Sequence, residues 1–313
     1  MTKVVQISIL GKISGNVNAD EVIGTRITLK KMYSSGGEVL PFVSARAIKF
    51  AIRKALYEKG FKVDPLYVNP NAKRTRLSDS AKPHEYIDND IFGYMRTLRG
   101  EEEGASLKRQ APIALSYFKA LRDTPIKAEF AAKFPRPWGI QESPVPFEIE
   151  VAEYIGKINC IMYDYIGDFT LDRKIAESIK DNEEAKKFLK EVPQSITPQQ
   201  RKERIKAFCE VFLTPTYVLP RATNSLNIPE YIAGLVVLSE KGPLPVFQYL
   251  NYDFEKNEID IESLKRMMER KEVKENIKKI FLIDYKGKIT NIPDGIKKVT
   301  SVDSVINEIV DFL

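Results

Sequence analysis

Residues 41–56 read PFVSARAIKFAIRKAL, and this stretch carries the clearest local pattern in the 313-residue sequence. Ile48, Ala51, Ile52, Ala55 and Leu56 recur at the three- and four-residue spacing that places side chains on one face of an α-helix. The spacing therefore predicts an amphipathic helix whose apolar face packs against a core.

The polar side of this helix is basic. Arg46, Lys49 and Arg53 fall at i, i+3 and i+7 and so form a ridge on one face. Ser44 stands where an N-cap is expected, and the first turn of a helix presents free N–H groups that favour anions. Such a ridge is often only a solvated face. Here acids are scarce, because residues 12–54 hold eight Lys and Arg against three Asp and Glu.

On both sides of this helix in the sequence, alternating or continuous apolar runs predict strands. The predicted strands cover residues 3–13, 25–33, 38–43, 145–167 and 231–238. Thr197-Pro198 predicts the start of a second core helix, with proline at its first position. The order strand, helix, strands, helix, strand predicts an α+β fold with an RRM-like or ferredoxin-like sheet that carries large insertions.

Residues 61–144 form the largest of these insertions. They are rich in proline, glycine and charge, and their apolar periodicity is poor. We expect a long insertion with small helices there, and one charged helix over residues 172–191.

Composition excludes several kinds of chemistry. The chain has one histidine, His84, and two cysteines, Cys160 and Cys209, which are not in a CxxC pair. A zinc site rich in His or Cys is therefore excluded, and a reducing cytoplasm is the expected compartment. No phosphate-binding or nucleophile motif is present, so we expect no cofactor and no metal ion. The longest apolar run, residues 231–238, is too short for a membrane span.

Charge is distributed unevenly along the chain. Residues 1–136 hold 24 Lys and Arg against 14 Asp and Glu, a net charge of +10, whereas residues 137–313 have a net charge of −4. A basic half in a globular protein indicates an anionic partner, and nucleic acid is the first candidate. A merely basic, solvated surface remains the alternative.

Several stretches together resemble one family. ISGNVNADEVIGTRI (13–27) and PFVSARAIKFAIRKAL (41–56) resemble the opening of the CRISPR-associated DevR-type proteins, the seventh Cas family of the RAMP superfamily. LKRQAPIALSYFKAL (107–121) is similar to that family's KR-x-SP segment, although Ala111 replaces the expected serine. Residues 149–169 and 220–238 are similar to later segments of the family, so the resemblance covers most of residues 1–240.

The resemblance implies a non-catalytic backbone subunit of a type I CRISPR Cascade complex. Such a subunit binds crRNA without regard to sequence, stacks head to tail along it beside other Cascade subunits, and presents the spacer for pairing with target DNA in antiviral defence. It also implies an RRM-like palm, a helical finger and a thumb. The palm with its C-terminal elaboration would span 1–60, 145–167 and 201–313, the finger 61–144, and the thumb 168–200.

A protein that must carry any spacer should hold phosphate and sugar and leave the base edges free. We therefore expect phosphate contacts from Lys12, Arg26, Arg46, Lys49 and Arg53. The polar residues expected to hydrogen-bond the RNA backbone or ribose are Asn16, Asn18 and Ser44. Second-tier RNA contacts are expected from Lys108, Arg109 and Arg221.

Two alternatives stay open. Type III relatives of the family cut target RNA with a metal and an acidic residue in the loop that here contains Asp20, so a metal-dependent endoribonuclease is the alternative function. A regulatory role follows from the family name alone, and no DNA-reading motif supports it.

Overall fold

A computed structural model describes residues 2–17, 19–68, 77–98, 105–134, 143–179, 182–220 and 227–313. The strands are β1 (Val4–Gly15), β2 (Ala19–Ile23), β3 (Arg26–Leu29), β4 (Lys31–Tyr33), β5 (Val39–Val43), β6 (Tyr67–Val68), β7 (Leu77–Ser78), β8 (Tyr94–Thr97), β9 (Ser106–Arg109), β10 (Ile113–Leu115), β11 (Phe118–Ala120), β12 (Lys127–Lys133), β13 (Val145–Tyr163), β14 (Glu230–Ser239), β15 (Tyr252–Asp253), β16 (Glu258–Ile259), β17 (Ile277–Asp284) and β18 (Lys297–Val299). The helices are α1 (Ala45–Glu58), α2 (Ile87–Phe92), α3 (Thr170–Ser178), α4 (Glu183–Glu191), α5 (Pro198–Leu213), α6 (Ile261–Glu269), α7 (Lys271–Lys274) and α8 (Asp303–Phe312).

The central sheet has the strand order of an RRM-like fold. Its main path is β18-β17-β14-β1-β13-β11-β5-β4. Within it, β1, α1, β11, β13, α5 and β14 follow each other along the chain as a βαββαβ unit, and β1 is antiparallel to both β13 and β14. The predicted α+β class and RRM-like architecture are confirmed.

The strand β1 separates two apolar layers because its side chains alternate between the faces of the sheet. Ile7 and Ile9 belong to the core that also contains the buried residues of α1, α5 and α8. Leu10 points to the other face and joins a second core with β17 and α6. The sheet is therefore covered by α1, α5 and α8 on one face, and partly by the C-terminal elements on the other.

The helix α5 begins where the sequence predicted, and its N-terminus is a capping box. The N–H of Gln200 donates to Oγ1 of Thr197 at 3.2 Å, and the N–H of Thr197 donates to Oε1 of Gln200 at 3.1 Å. Two N–H groups that lack helical partners are thus satisfied reciprocally.

Replacing the capping residue, Thr197→Ala, should lower the free energy of unfolding by about 1 kcal/mol because the N–H of Gln200 loses its acceptor. Urea denaturation followed by circular dichroism measures the loss. Thr300→Ala, at an exposed loop threonine, is the control. Equal midpoints for the two variants would show that the cap does not stabilise the fold.

The insertion over 61–144 differs from the helical one that was predicted. Its described residues form the six-residue helix α2 and seven strands, and β10, β11 and β12 all pair with β13. The strands are two to seven residues long, which is too short to produce a clear period in the sequence. Ile113, Phe118 and Ala120 are buried in the main core, so tertiary pairing selects the strand conformation.

Other predictions in this part of the chain have mixed outcomes. The single charged helix predicted over 172–191 is two helices, α3 and α4, and the N-cap Asn182 of α4 accepts from the N–H groups of Glu184 and Ala185.

Cys160 and Cys209 are free and buried, as expected. His84, expected at the surface, is half-buried, and burial lowers the pKa of its imidazole. In the part of the chain that the structure describes, no helix has the length and hydropathy of a membrane span.

Candidate nucleic-acid interface

The helix α1 starts at a side-chain cap that leaves its N-terminus electropositive. Ser44 has extended backbone geometry, and its Oγ accepts from the N–H of Ala47 at 3.3 Å. The first turn contains no acidic residue. The partial positive charge of the helix N-terminus is therefore not offset within this helix. Ser44 caps the helix as predicted, and a hydroxyl that accepts one hydrogen bond can also donate one to a ligand oxygen.

One side of α1 is buried and the other faces solvent. Ile48, Ala51, Ile52, Ala55 and Leu56 are all buried, which confirms the predicted apolar face. At 100° per residue, Arg46, Phe50, Lys54 and Tyr57 lie on the opposite side, and all four are exposed. We call these four residues the α1 outer face. Arg46 on this face has no ion-pair partner among the described residues.

Lys49 and Arg53 lie at the border of this face, against α2. The guanidinium Cζ of Arg53 is 5.2 Å from the centroid of the Phe92 ring, and Nζ of Lys49 is 5.0 Å from it. Arg53 Nε donates to Oδ2 of Asp88 at 3.0 Å. Burial lowers the pKa of Lys49, and the neighbouring charge of Arg53 lowers it further. Both cations are thus partly committed to packing within the protein.

Lys12 does not join the α1 residues. It lies next to Ile13, which packs into the α1 side of the sheet, so the side chain of Lys12 projects from the other face. Its Nζ is 3.0 Å from Oε2 of Glu153, and this contact raises the pKa of Lys12. Lys12 lines a cleft of about 900 Å³ whose opposite wall is formed by C-terminal residues such as Tyr252. The sheet separates Lys12 from the ridge with which it was grouped.

Arg26 and Asn16 lie together, near the end of β13 that extends past the palm sheet. Arg26 Nε donates to Oε2 of Glu148 at 2.6 Å, in an exposed ion pair that raises the pKa of Arg26. Asn16 is 2 % exposed, and its Nδ2 donates to the carbonyl oxygen of Glu150 at 2.7 Å. The structure therefore places Asn16 in the interior, with its amide nitrogen bonded to the backbone, and not on an exposed surface with the other predicted contacts; its contact with RNA stays a prediction.

The predicted pair Lys108 and Arg109 splits across β9. Lys108 is exposed, whereas the side chain of Arg109 is 2 % exposed. Arg109 donates from Nε and Nη2 to the backbone oxygen and Oδ1 of Asp90, and from Nη1 to Oδ2 of Asp172. Its two other N–H bonds reach the carbonyl oxygens of Tyr165 and Asp168. All five donors are satisfied inside the protein, so the structure places Arg109 in a buried network and not beside Lys108 on the surface, and its RNA contact stays a prediction.

Asp20, the residue of the nuclease alternative, is exposed and paired. Its Oδ1 is 3.1 Å from Nζ of Lys30. No group of three or more metal-binding side chains occurs within the described ranges. Asn18 and Arg221, the other two predicted RNA contacts, lie outside the described residues.

Phe50 and Tyr57 were missed at the sequence level. They are 64 % and 68 % exposed on α1, although each is a large aromatic side chain. The signal was available, because both residues fall on the polar side of an amphipathic helix, i and i+7, between the basic residues. The buried network of Asp90, Arg109 and Arg204 was also missed, and there no sequence pattern indicates it.

The fold and this helix face define an α+β protein with an RRM-like palm and a cationic helix exposed on it. A family model described as "CRISPR-associated negative auto-regulator DevR/Csa2" matches residues 13–259. The chain therefore belongs to the DevR/Csa2 family of CRISPR-associated proteins, and the resemblance found in the sequence is confirmed.

Solved structures share the fold at low sequence identity. A chain of a "CRISPR RNA-guided surveillance complex" is similar with a TM-score of 0.55 and 14 % identity, over 98 % of this chain and 98 % of that one. A chain of a "CRISPR RNA-guided surveillance complex, pre-nicking" gives a TM-score of 0.56 and 12 % identity, over 98 % and 99 % of the two chains. A search of curated protein sequences gives no match.

Proposed function

We propose that this chain is a non-catalytic backbone subunit of a type I CRISPR Cascade complex in the cytoplasm. It binds crRNA without regard to sequence, stacks head to tail with further copies of itself, and presents the spacer for pairing with target DNA. The observation that carries the proposal is the family membership over residues 13–259. The similarity in fold to chains of RNA-guided surveillance complexes supports it.

The α1 outer face supplies the physical means of holding RNA. Arg46 is exposed and lies in the first turn of α1. Its positive charge adds to the partial positive charge of the helix N-terminus, whose first turn contains no acid. Arg53, two turns further along α1, keeps its terminal nitrogens for a ligand, because the ion pair with Asp88 uses Nε. Phosphate oxygens suit such donors, and phosphate contacts carry no sequence preference.

The remaining proposed contacts lie on other surfaces. Lys49 borders the α1 outer face, and Lys108 is exposed on β9. Arg26 and Lys12 would have to exchange the carboxylates of Glu148 and Glu153 for phosphate. Arg46 is therefore the first contact to test, since it has no such exchange to make.

Head-to-tail stacking is a heterologous contact, which propagates along a filament and does not close into a dimer. The net charges of +10 over residues 1–136 and −4 over residues 137–313 would favour such a contact where exposed residues of the two parts meet. By the same proposal, the finger lies within 61–144, apart from β11, which belongs to the palm sheet, and 168–200 is the thumb of an assembly with other Cascade subunits.

RNA binding should be tolerant of sequence and steeply dependent on salt. For single-stranded RNA, log K should fall by about 0.7 per log unit of salt for each phosphate neutralised. Arg46→Glu should weaken binding of unrelated 20-nucleotide RNAs equally and flatten the salt slope. Fluorescence anisotropy at several salt concentrations measures both effects.

The matched control is Lys271→Glu, which makes the same charge reversal at a side chain that is 84 % exposed in the acidic half. It should weaken binding less than Arg46→Glu does. A flat salt dependence of the wild-type protein, or equal losses in the two variants, would contradict the proposal.

For the endoribonuclease alternative, a metal at Asp20 would have to displace Lys30, whose Nζ is 3.1 Å from Oδ1 of Asp20. Incubating the guide-loaded complex with complementary RNA and Mg²⁺ separates the two functions. Regularly spaced cuts that disappear in Asp20→Ala would establish cleavage in place of the non-catalytic role.

A further inference from the structure

The α1 outer face combines two exposed aromatic rings with cations. Phe50 is 64 % exposed and Tyr57 is 68 % exposed. They are seven residues apart, two turns of an α-helix, and so project from the same side. Large aromatic side chains usually bury most of their area, so two of them on one solvent-facing stripe indicate a ligand or partner.

The cations are placed around these rings. Arg46 precedes Phe50 by one turn and Lys54 follows it by one turn, so each lies beside the Phe50 ring on the helix surface. Arg53 precedes Tyr57 by one turn. Two acids lie against these cations: Oε1 of Glu58 is 4.0 Å from Nζ of Lys54, and Oδ2 of Asp88 is 3.0 Å from Nε of Arg53. The stripe is thus aromatic along its middle and predominantly basic at its margins.

Among possible ligands, single-stranded RNA matches both properties. Its phosphates are complementary to the cations, and unpaired bases stack on aromatic side chains regardless of their sequence. A protein segment that covered this stripe would need acids for the cations and apolar side chains for the rings. The cleft that Lys12 lines does combine acids such as Glu153 and Asp253 with apolar side chains such as Phe254, so a second copy of the chain is the rival occupant that the test below must separate from RNA.

We propose that the α1 outer face is a stacking platform for unpaired bases of single-stranded RNA, in which Phe50 and Tyr57 receive base faces while Arg46 and Lys54 hold the neighbouring phosphates. The proposal rests on the RNA-binding function proposed above and adds the means by which bases are held. Stacking uses the face of a base and leaves its Watson–Crick edge free, so it is compatible with a later pairing step.

The spacing of the rings limits how RNA is held. At 1.5 Å per residue, Phe50 and Tyr57 are about 10 Å apart along the helix axis. Successive bases of a stacked strand rise by about 3.4 Å. The two rings therefore hold bases that are not neighbours in one stack, and an oligonucleotide of two residues should not engage both.

Phe50→Ala and Tyr57→Ala test the platform, with fluorescently labelled oligo(U) and oligo(A) of 12 nucleotides as probes. Each variant should lose about 5- to 100-fold in affinity, with an unchanged salt slope, because stacking is lost and phosphate contacts are kept. Phe50→Trp and Tyr57→Trp should restore binding. Phe130→Ala is the control, since Phe130 is 73 % exposed on β12, away from α1.

The outcomes separate this proposal from the proposed function. If Arg46→Glu weakens binding while Phe50→Ala and Tyr57→Ala bind like the wild type, the platform is wrong and the RNA-binding function stands. If the wild type binds neither probe, the RNA-binding function itself fails. If either alanine variant changes the oligomeric state in sedimentation without RNA, the stripe is a protein interface and the platform is overturned.

Discussion

Asp90→Ala should lower the free energy of unfolding by about 3–5 kcal/mol, because it leaves the buried guanidinium of Arg204 without its counter-ion and that of Arg109 with Asp172 alone. Oδ1 of Asp90 accepts from Nη2 of Arg109 at 2.7 Å, and Oδ2 accepts from Nη1 of Arg204 at 2.7 Å. The N–H of Gly167 donates to the same carboxylate at 3.0 Å. The side chain of Asp90 is completely buried, so water cannot replace it.

The size of the loss follows from how many elements meet at this carboxylate. Asp90 is on α2, Arg109 on β9 and Arg204 on α5, so the network joins the insertion to a helix of the palm. Arg109 also reaches Asp172 of α3 at 2.7 Å. Burial raises the pKa of Asp172, and the charge of Arg109 opposes that shift. Removing Asp90 therefore unbalances charges in four elements at once.

Urea denaturation measures this prediction, and Asp311→Ala is its control. Asp311 makes an ion pair with Lys202 at 3.0 Å, but its side chain is 73 % exposed. Exposed pairs of this kind contribute little, so the control should unfold like the wild type. A loss for Asp90→Ala no larger than that of the control would show that the network does not stabilise the protein.

Gly93→Ala should also destabilise the protein strongly and lower its free energy of unfolding by about 2–5 kcal/mol. Gly93 ends α2 with a φ of +74°, which L-residues with a side chain rarely adopt. A Cβ atom there would lie 2.4 Å from the carbonyl oxygen of Arg109 and 3.1 Å from the backbone nitrogen of Ala111. The new methyl group would push β9 away and disturb the buried Arg109.

Gly242 is a matched control because it has a φ of +86° and open space around the position of a Cβ atom. Gly242→Ala should lower the free energy of unfolding only by the cost of holding alanine in a left-handed backbone conformation, about 1–2 kcal/mol. The difference between the two unfolding midpoints measures the close approach to β9. Equal losses would mean that the backbone of β9 moves aside without cost.

Local sequence patterns predicted the helices that bury one face and expose the other. The apolar spacing of α1 and the Thr197-Pro198 start of α5 are properties of neighbouring residues, and both helices occur where predicted. The insertion was harder, because β10 and β11 are three residues long and become strands by pairing with β13 and β5. Their conformation depends on partners more than 30 residues away in the sequence.

The residues of the candidate site also divide into those whose exposure the local sequence predicts and those whose exposure depends on the tertiary structure. Arg46 was predicted as an exposed cation and is one, since its position on a helix face follows from helical spacing. Arg109 and Lys108 are neighbours of the same charge type, yet one is buried with five hydrogen bonds and the other is exposed. The alternation of β9 decides which of them points inward, and a four-residue strand gives no warning of its direction.

The sequence by itself determined the family, the helices α1 and α5, and the basic polar side of α1, because each depends on short segments of neighbouring residues. Only the tertiary structure decided which cations remain for a ligand. Lys12 was placed on the opposite face of the sheet and Arg109 within a carboxylate network. The reason is physical: a charge is free or neutralised according to what the fold brings within about 4 Å of it, and that neighbour is usually distant in sequence.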